Sequence, residues 1–200
     1  MSLLDAPSTA TSTTSTARPS ASVLRRPDIE VVADGAVESR EQVAARYTFA
    51  VARISLGFVF LWAFVDKLVG LDHATPAARA WLNGGSPSTG FLSGVEGPFA
   101  GFFNSITGSA ADWLFMAGLL GIGLAFVLGI GMRIGAVSGA LLLTFMWAAS
   151  LPIATNPFLD DHLVYAVVMI GLALMHAGNT MGFGALWGKL AIVRRFPALI

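Results

Sequence analysis

The chain has no cysteine among its 200 residues. It therefore forms no disulfide and supplies no thiolate for a metal ion, an iron–sulfur cluster or persulfide chemistry. Charged residues are also scarce, at 12%, where a soluble domain has roughly a quarter. Cationic and acidic residues balance at 12 each, which excludes the basic excess typical of nucleic-acid binding. Any redox centre must be a bound small molecule or belong to a partner protein.

Apolar residues are abundant, at 55%, and they are concentrated in four runs, at residues 43–65, 113–131, 134–152 and 162–177. A membrane-spanning helix needs about 20 apolar residues. The first three runs meet this length, and the fourth is short unless it extends through Asn179 or the bilayer is thinned beside it. We therefore predict an all-α fold, an integral membrane four-helix bundle over residues 43–200, with a long outer loop and an interfacial C-terminal segment.

Residues 1–42 differ in composition from the rest of the chain. They are rich in serine, threonine and alanine, and they lack the unbroken apolar core of a secretory signal. Such a composition cannot bury enough apolar surface to fold alone. We predict a disordered cytoplasmic tail, and phosphorylation or partner docking there is the alternative to a plain solvated tail.

Lysine and arginine residues predict the orientation of the runs in the membrane, because cytoplasmic loops carry an excess of them. The connections at 66–111 and 153–161 contain only Lys67 and Arg79 as cations. The other flanks carry Arg18, Arg25, Arg26, Arg40, Arg46, Arg133, Lys189, Arg194 and Arg195. The sequence thus predicts a multi-pass protein of the plasma membrane with both termini in the cytoplasm.

Arg53 lies inside the first apolar run. An arginine near the centre of a span costs about 2.5–3.5 kcal/mol on insertion scales, so it usually faces the bundle interior or a polar cavity. The alternative is that its long side chain reaches back to the inner headgroups. We predict internal pairing or a functional role for Arg53.

Asp160, Asp161 and His162 open the last apolar run. Acidic residues at a helix start satisfy free N–H groups and the helix dipole, which explains one or both aspartates. An imidazole beside two carboxylates also relays protons near neutral pH, so His162 is a candidate proton relay. No metal site is predicted, because three adjacent side chains of a regular helix cannot all point at one ion.

Five segments carry a family resemblance: RISLGFVFLWAFVDKLVGL, ATPAARAWLNGGSPSTGFL, GPFAGFFNSITG, DWLFMAGLLGIGLAFVLGIGMRIGAVSGALL and NPFLDDHLVYAVVMIGLAL. They resemble the DoxX/DoxD-like membrane family, and within it the DoxD-type subunit of thiosulfate:quinone oxidoreductase. The resemblance covers Arg46 to Ile200, and the long outer loop and NPFLDDH are the segments most specific to this branch.

The resemblance implies a membrane subunit of a quinone-linked oxidoreductase that couples thiosulfate into tetrathionate, with a membrane quinone as acceptor. It implies the lipid bilayer, a second oxidoreductase subunit and a small sulfur anion as partners, and it leaves the oligomeric state open. On this chain the catalytic candidates are Arg53, Asp160, Asp161 and His162. The candidate walls of a quinone cleft between the first and last runs are Trp62, Phe64, Trp113 and Trp147. The cations that would hold the anion are Lys67, His73 and Arg79.

Two other functions remain open. A non-catalytic membrane scaffold, or accessory subunit, would recruit redox partner proteins through the tail and loops without a cleft of its own. A channel or transporter is disfavoured, because four spans leave little room for a pathway and the sequence has no detectable inverted repeat.

Overall fold

The computed structural model of the chain describes residues 38–154 and 156–199. Helices form all the regular secondary structure of these residues, and no strand occurs among them. The prediction of an all-α fold is therefore confirmed. The predicted N-terminal tail lies outside the described residues, except for residues 38–42.

Helix α1 spans Arg40–Val69 and begins with a capping box. The Ser39 hydroxyl accepts a hydrogen bond from the backbone N–H of Gln42, and the Gln42 side chain accepts one from the N–H of Ser39. This arrangement satisfies two N–H groups that have no partner inside the helix. The helix therefore starts within the predicted tail, before the apolar run. It ends at Gly70, whose φ of 71° suits a residue without a Cβ atom.

The remaining helices follow in chain order. The connection after α1 holds 3₁₀ turns at Ala77–Arg79 and Trp81–Asn83, then α2 (Thr89–Leu92) and α3 (Ala100–Ser105). Three longer helices come next: α4 (Ser109–Leu128), α5 (Met132–Ala149) and α6 (Asp161–Leu174). The C-terminal part contains a 3₁₀ turn at Ala177–Asn179, α7 (Gly184–Trp187), α8 (Ala191–Arg195) and a last 3₁₀ turn at Pro197–Leu199.

Helices α1 and α4 run antiparallel at close range. A Cβ atom added to Gly57 would lie 2.7 Å from the backbone nitrogen of Val127. One added to Gly123 would lie 2.7 Å from the side chain of Leu61. The contacting residues thus run in opposite directions along the two helices. Glycine at these positions lets the two backbones approach and gain dispersion contacts that a larger residue would prevent.

The same packing continues to α5 and α6. Gly135 of α5 faces Ala125 of α4, and Gly139 of α5 faces Met169 of α6. The 3₁₀ turn after α6 returns to the start of α5, where Gly178 faces Met132. These contacts make α4 and α5, and then α5 and α6, antiparallel neighbours. The shared core contains buried side chains from all four long helices, including Phe60, Met116, Phe126, Leu143 and Met169.

The antiparallel order sorts the helix ends into two groups. One group, the loop end, contains the C-termini of α1 and α5 and the N-termini of α4 and α6. The opposite group, the tail end, contains the other four helix termini and the C-terminal residues 175–199. Loop end and tail end denote position in the fold only.

Within the described residues, α1, α4 and α5 are long and apolar enough to cross a membrane. Helix α6 is apolar but has 14 residues, which span about 21 Å. Large apolar side chains on these helices point away from the core, with Leu114 77% exposed and Leu174 72% exposed. Such faces are costly in water and compatible with a lipid environment.

Two buried carboxylates fasten the long connection between α1 and α4 at the loop end. Asp66 is 2% exposed and accepts hydrogen bonds from two backbone N–H groups of the turn that follows α1. Asp112 of α4 accepts hydrogen bonds from the hydroxyls of Ser86 and Ser88, at 2.7 Å and 2.6 Å, and from the Ser88 N–H at 3.0 Å. The connection is therefore held at its start and again at its middle.

Candidate functional site

Asp160 and His162 form a hydrogen-bonded pair at the start of α6. Asp160 is the N-cap, and its backbone is extended, with φ −129° and ψ −176°. One carboxylate oxygen accepts the N–H of Leu163 at 3.3 Å, as a capping residue does. The other lies 2.6 Å from Nδ1 of His162. Capping therefore uses one oxygen and leaves the second to orient the imidazole.

Asp161 completes the cluster from the first turn of α6. Its carboxylate oxygen lies 3.6 Å from Nδ1 of His162, and its side chain is 69% exposed. The Asp160 and His162 side chains are only 14% and 23% exposed. Asp161 thus faces the surroundings, while the pair beside it is largely enclosed.

Burial and hydrogen bonding act in opposite directions on the Asp160 carboxyl. Burial raises its pKa, but the hydrogen bonds from His162 and from the N–H of Leu163, with the charge of His162, outweigh that effect. The net result is a pKa below the ordinary value for aspartate. Asp160 therefore stays ionised beside Nδ1 of His162.

The three side chains converge more closely than a regular helix allows. Their potential ligand atoms all lie within 4.8 Å of one another. Three adjacent residues of a regular helix would point apart, but Asp160 precedes the helix and turns its side chain back over the first turn. Both Asp160 oxygens are engaged, one by the N–H of Leu163 and the other by Nδ1 of His162.

A second group of predicted residues meets near the C-terminus of α1. The centroid of the Trp62 ring lies 5.3 Å from that of His73 and 6.2 Å from that of Phe58. Trp62 and His73 are both exposed. The turn that carries His73 is held by Asp66, so α1 positions both partners of this aromatic pair.

The predicted anion-binding cations Lys67, His73 and Arg79 make different contacts. Lys67 is half-buried, and its Nζ lies 5.8 Å from the centroid of the Phe115 ring of α4. This contact is a cation–π interaction, which attracts the ammonium to the face of the ring. Arg79 is exposed in the first 3₁₀ turn of the connection. Lys67 and His73 lie on the same short stretch after Trp62, but they engage different aromatic rings.

Arg53 is fully buried and donates only to backbone carbonyls. Its Nη1 donates to Phe126 and Val127 at the end of α4, the latter at 3.0 Å. Its Nη2 donates to Thr180 and Met181, at 3.3 Å and 2.9 Å. The last carbonyls of a helix have no partner inside it, and a cation there also complements the helix dipole. The partners of Arg53 inside the protein are thus carbonyl groups at the end of α4 and in the loop after α6.

The four predicted cleft aromatics do not share one wall. Trp62 packs on His73, whereas Trp113 is 67% exposed and packs edge-on against Trp81 at 4.6 Å. Phe64 packs against the shared core. Trp147 lies in α5, and its buried Nε1 has no hydrogen-bond partner among the described residues.

The structure therefore gathers the predicted residues into separate groups. The acidic cluster with His162 and the Trp62–His73 pair lie at the loop end, and Arg53 binds the tail end of α4. Across residues 38–154 and 156–199, no hydrogen bond, ion pair or aromatic contact joins these groups.

Sequence reasoning missed three residues at the loop end, Ser86, Ser88 and Trp81. The serines supply the hydroxyls that hold Asp112, and Trp81 provides the ring under Trp113. A buried carboxylate at the start of an apolar helix requires hydrogen-bond donors. Nothing in the sequence indicates which of the many serines and aromatics of the connection meet that need.

The chain matches no protein-family model, no curated protein and no solved structure.

Proposed function

We propose that the chain is an integral membrane four-helix bundle of the plasma membrane with both termini in the cytoplasm. Three long apolar helices and the exposed apolar side chains of α6 support this proposal. The cations support the orientation, since Lys67 and Arg79 belong to the loop end. The tail end carries Arg40, Arg46, Arg133, Lys189, Arg194 and Arg195. With 14 residues, α6 can cross the membrane only where the bilayer is locally thinned or where the apolar residues that follow it extend the span.

We propose further that this bundle is the membrane subunit of a quinone-linked oxidoreductase that acts on a sulfur compound such as thiosulfate. The observation that carries the proposal is the enclosed Asp160–His162 pair, with Nδ1 and the carboxylate oxygen 2.6 Å apart. Two thiosulfate ions, one quinone and two protons give one tetrathionate and one quinol. The membrane-side half of that reaction needs a group that delivers protons, and His162 held by an ionised carboxylate provides one.

We propose that the quinone ring binds against the Trp62–His73 pair. Both rings are exposed beside an apolar helix face, and the imidazole supplies a hydrogen-bonding nitrogen next to an aromatic surface. A bound quinone accepts two electrons and two protons. Trp62 would hold the ring by stacking, and His73 would hydrogen-bond to a quinone oxygen. Lys67 and Arg79 would attract the sulfur anion to this end.

Thiosulfate-dependent reduction of a quinone analogue, measured in membranes of a deletion strain complemented with variants, tests the proposal. His162→Asn removes the relay while the Asp160 cap remains, and a rate loss of about 10²-fold or more is expected. His176→Asn is the matched control, because His176 is exposed at the tail end and outside both groups. Equal rates for the wild type, His162→Asn and Trp62→Leu, at equal protein levels, would rule out these residues as the site.

A non-catalytic scaffold is the second candidate, favoured by the separation of the predicted cations. Arg53 donates to four carbonyls and Lys67 lies on Phe115, so these two cations do not face one anion pocket. A scaffold predicts that quinone reduction requires the presence of the chain but proceeds at the wild-type rate with His162→Asn and Trp62→Leu. The same membrane assay therefore separates the two functions.

A further inference from the structure

An apolar groove of about 370 Å³ lies between α4 and α5, on their tail-end half. Its walls include Gly118 and Gly121, and an added Cβ atom at either glycine would meet no atom within 4 Å. These glycines differ from Gly57 and Gly123, whose missing Cβ atoms make room for a neighbouring helix. The open glycines instead leave unfilled space on the outside of the helix pair.

The C-terminal segment extends this space. Trp187 and Leu199 line the groove and are joined by a hydrogen bond of 2.6 Å from Nε1 of Trp187 to the Leu199 carbonyl. A second apolar pocket, of about 270 Å³, shares Ile130 and Trp187 with the groove and reaches Leu186 and Leu190. The two together are called the tail groove. From Ala117 to Ala125 it follows α4 for roughly 12 Å, comparable with the roughly 15 Å that one leaflet contributes to the hydrocarbon core.

Four cations, Arg133, Lys189, Arg194 and Arg195, lie on the segments that line or adjoin the tail groove. Arg133, beside the groove, donates from Nη1 to the carbonyl of Pro197 at 2.9 Å, which brings the C-terminal segment against α5. Lys189 adjoins the pocket residue Leu190, and Arg194 and Arg195 are exposed on α8. The sequence contains no aspartate or glutamate after Asp161. Among the described residues, ion pairs involve Arg46 and His162 but none of these four cations.

We propose that the tail groove binds one anionic phospholipid, with an acyl chain in the groove and its headgroup among Arg133, Lys189 and the α8 arginines. The proposal rests on the membrane orientation given under the proposed function, but not on quinone chemistry. Exposed Leu186 and Ile192 and half-buried Trp187, beside lysine and arginine, match a segment that lies in the membrane interface. Basic pockets between helices on the cytoplasmic side are suited to anionic headgroups.

Charge argues for a lipid rather than a second copy of the chain. A twofold contact across the tail groove would bring the same unpaired cations against each other, and like charges across an interface oppose association. A neutral isoprenoid would fill the apolar space but would leave the cations without an anion. An anionic phospholipid satisfies both parts of the site.

The test is the affinity of the full-length chain, in mild detergent, for dioleoyl phosphatidylglycerol and for dioleoyl phosphatidylcholine, measured by native mass spectrometry. We expect the anionic lipid to bind at least fivefold more tightly. Arg194→Gln with Arg195→Gln should weaken its binding by roughly fivefold for each cation removed. Inorganic phosphate at millimolar concentration should not compete, because it has no acyl chain.

Two matched controls distinguish lipid binding at the tail groove from general electrostatic attraction of the anionic lipid. Arg40→Gln with Arg46→Gln removes the same charge from the tail end and should leave the affinity unchanged. Gly121→Leu fills the groove and should release the lipid, whereas Gly171→Leu, at an equally open glycine of α6, should not. Equal affinity for both lipids, equal weakening by both arginine pairs, or a dimer that Gly121→Leu dissociates would overturn the proposal. Lipid binding without quinone reduction would count against the proposed function alone.

Discussion

Among single residues, Arg53 has the most demanding environment, because its positive charge is enclosed and no carboxylate within residues 38–154 and 156–199 forms an ion pair with it. Its hydrogen bonds to four carbonyls spread the charge over peptide dipoles of α4 and the 180–181 loop. A planar guanidinium can reach acceptors on two sides, which a compact ammonium cannot. Arg53 thus ties three parts of the chain together at one point.

Arg53→Met should destabilise the protein strongly. The substitution leaves several carbonyls buried without donors, and we expect a loss of about 3–5 kcal/mol in the free energy of unfolding. Arg53→Lys should recover only part of this loss. Unfolding by denaturing detergent measures the effect, with Arg46→Met as a control expected to cost no more than about 1 kcal/mol. A stable Arg53→Met protein without quinone reduction would instead assign Arg53 to the reaction.

Asp160 makes a contribution to stability that depends on pH. Asp160→Ala should cost about 1 kcal/mol through the lost cap, whereas Asp160→Asn keeps a capping oxygen. Folding lowers the pKa of Asp160, so its ionised form stabilises the fold above the ordinary carboxyl pKa of about 4, and this contribution is lost as pH falls through the folded value. The free energy of unfolding, measured from pH 7 to pH 3, should differ less between wild type and Asp160→Asn as the pH falls. A difference that stays constant with pH would contradict the lowered pKa of Asp160 in the folded protein.

At the level of helices, glycine has two distinct uses in this chain. Gly57 and Gly123 lie where α1 and α4 touch, and Gly135 and Gly139 lie where α5 meets its neighbours. Gly121 has open space instead. Residue type alone does not separate these uses, because Gly121 and Gly123 lie two positions apart on α4 and have different surroundings.

The effects of Gly57→Ala and Gly121→Ala on the free energy of unfolding should therefore differ in sign or size. The Cβ at position 57 would press on the backbone of Val127, which cannot move aside as a side chain can, and we expect a loss of about 1–3 kcal/mol. The Cβ at position 121 meets nothing, so the change should be within about 0.5 kcal/mol or slightly stabilising. Unfolding of both variants in the same detergent makes the comparison. Equal losses would mean that α1 and α4 do not approach as closely as described.

Sequence patterns predicted the helices well and their contacts poorly, for physical reasons. Apolar run length and glycines such as Gly70 mark local preferences, so α1, α4 and α5 were foreseeable. The carbonyl partners of Arg53 lie more than seventy positions away along the chain, and backbone acceptors have no residue signature. The convergence of Asp160 with His162 depends on one extended N-cap, which a helical reading of the segment does not include.

For the whole molecule, the lack of cysteine makes the membrane orientation directly testable. Single substitutions introduce the only thiol, and a membrane-impermeant maleimide then reports which side it faces. Leu82→Cys, at a side chain that is 70% exposed in the long connection, should react in intact cells. Ala191→Cys, exposed at the start of α8, should react only after permeabilisation. The reverse labelling pattern would mean that the orientation is inverted. Labelling of both positions in intact cells would mean that residues 82 and 191 lie on the same side of the membrane.

The carboxylate anchors of Asp66 and Asp112 have a consequence for engineering. Asp66 belongs to α1 and Asp112 to α4, so each helix holds part of the connection with its own side chain. A Cβ atom added to Gly90 or Gly101 would meet no atom within 4 Å, so a single cysteine at either position can carry a small label without disturbing the packing of Leu92, Val95 and Phe103. The loop end can thus be labelled while the contacts of Ser86 and Ser88 are retained.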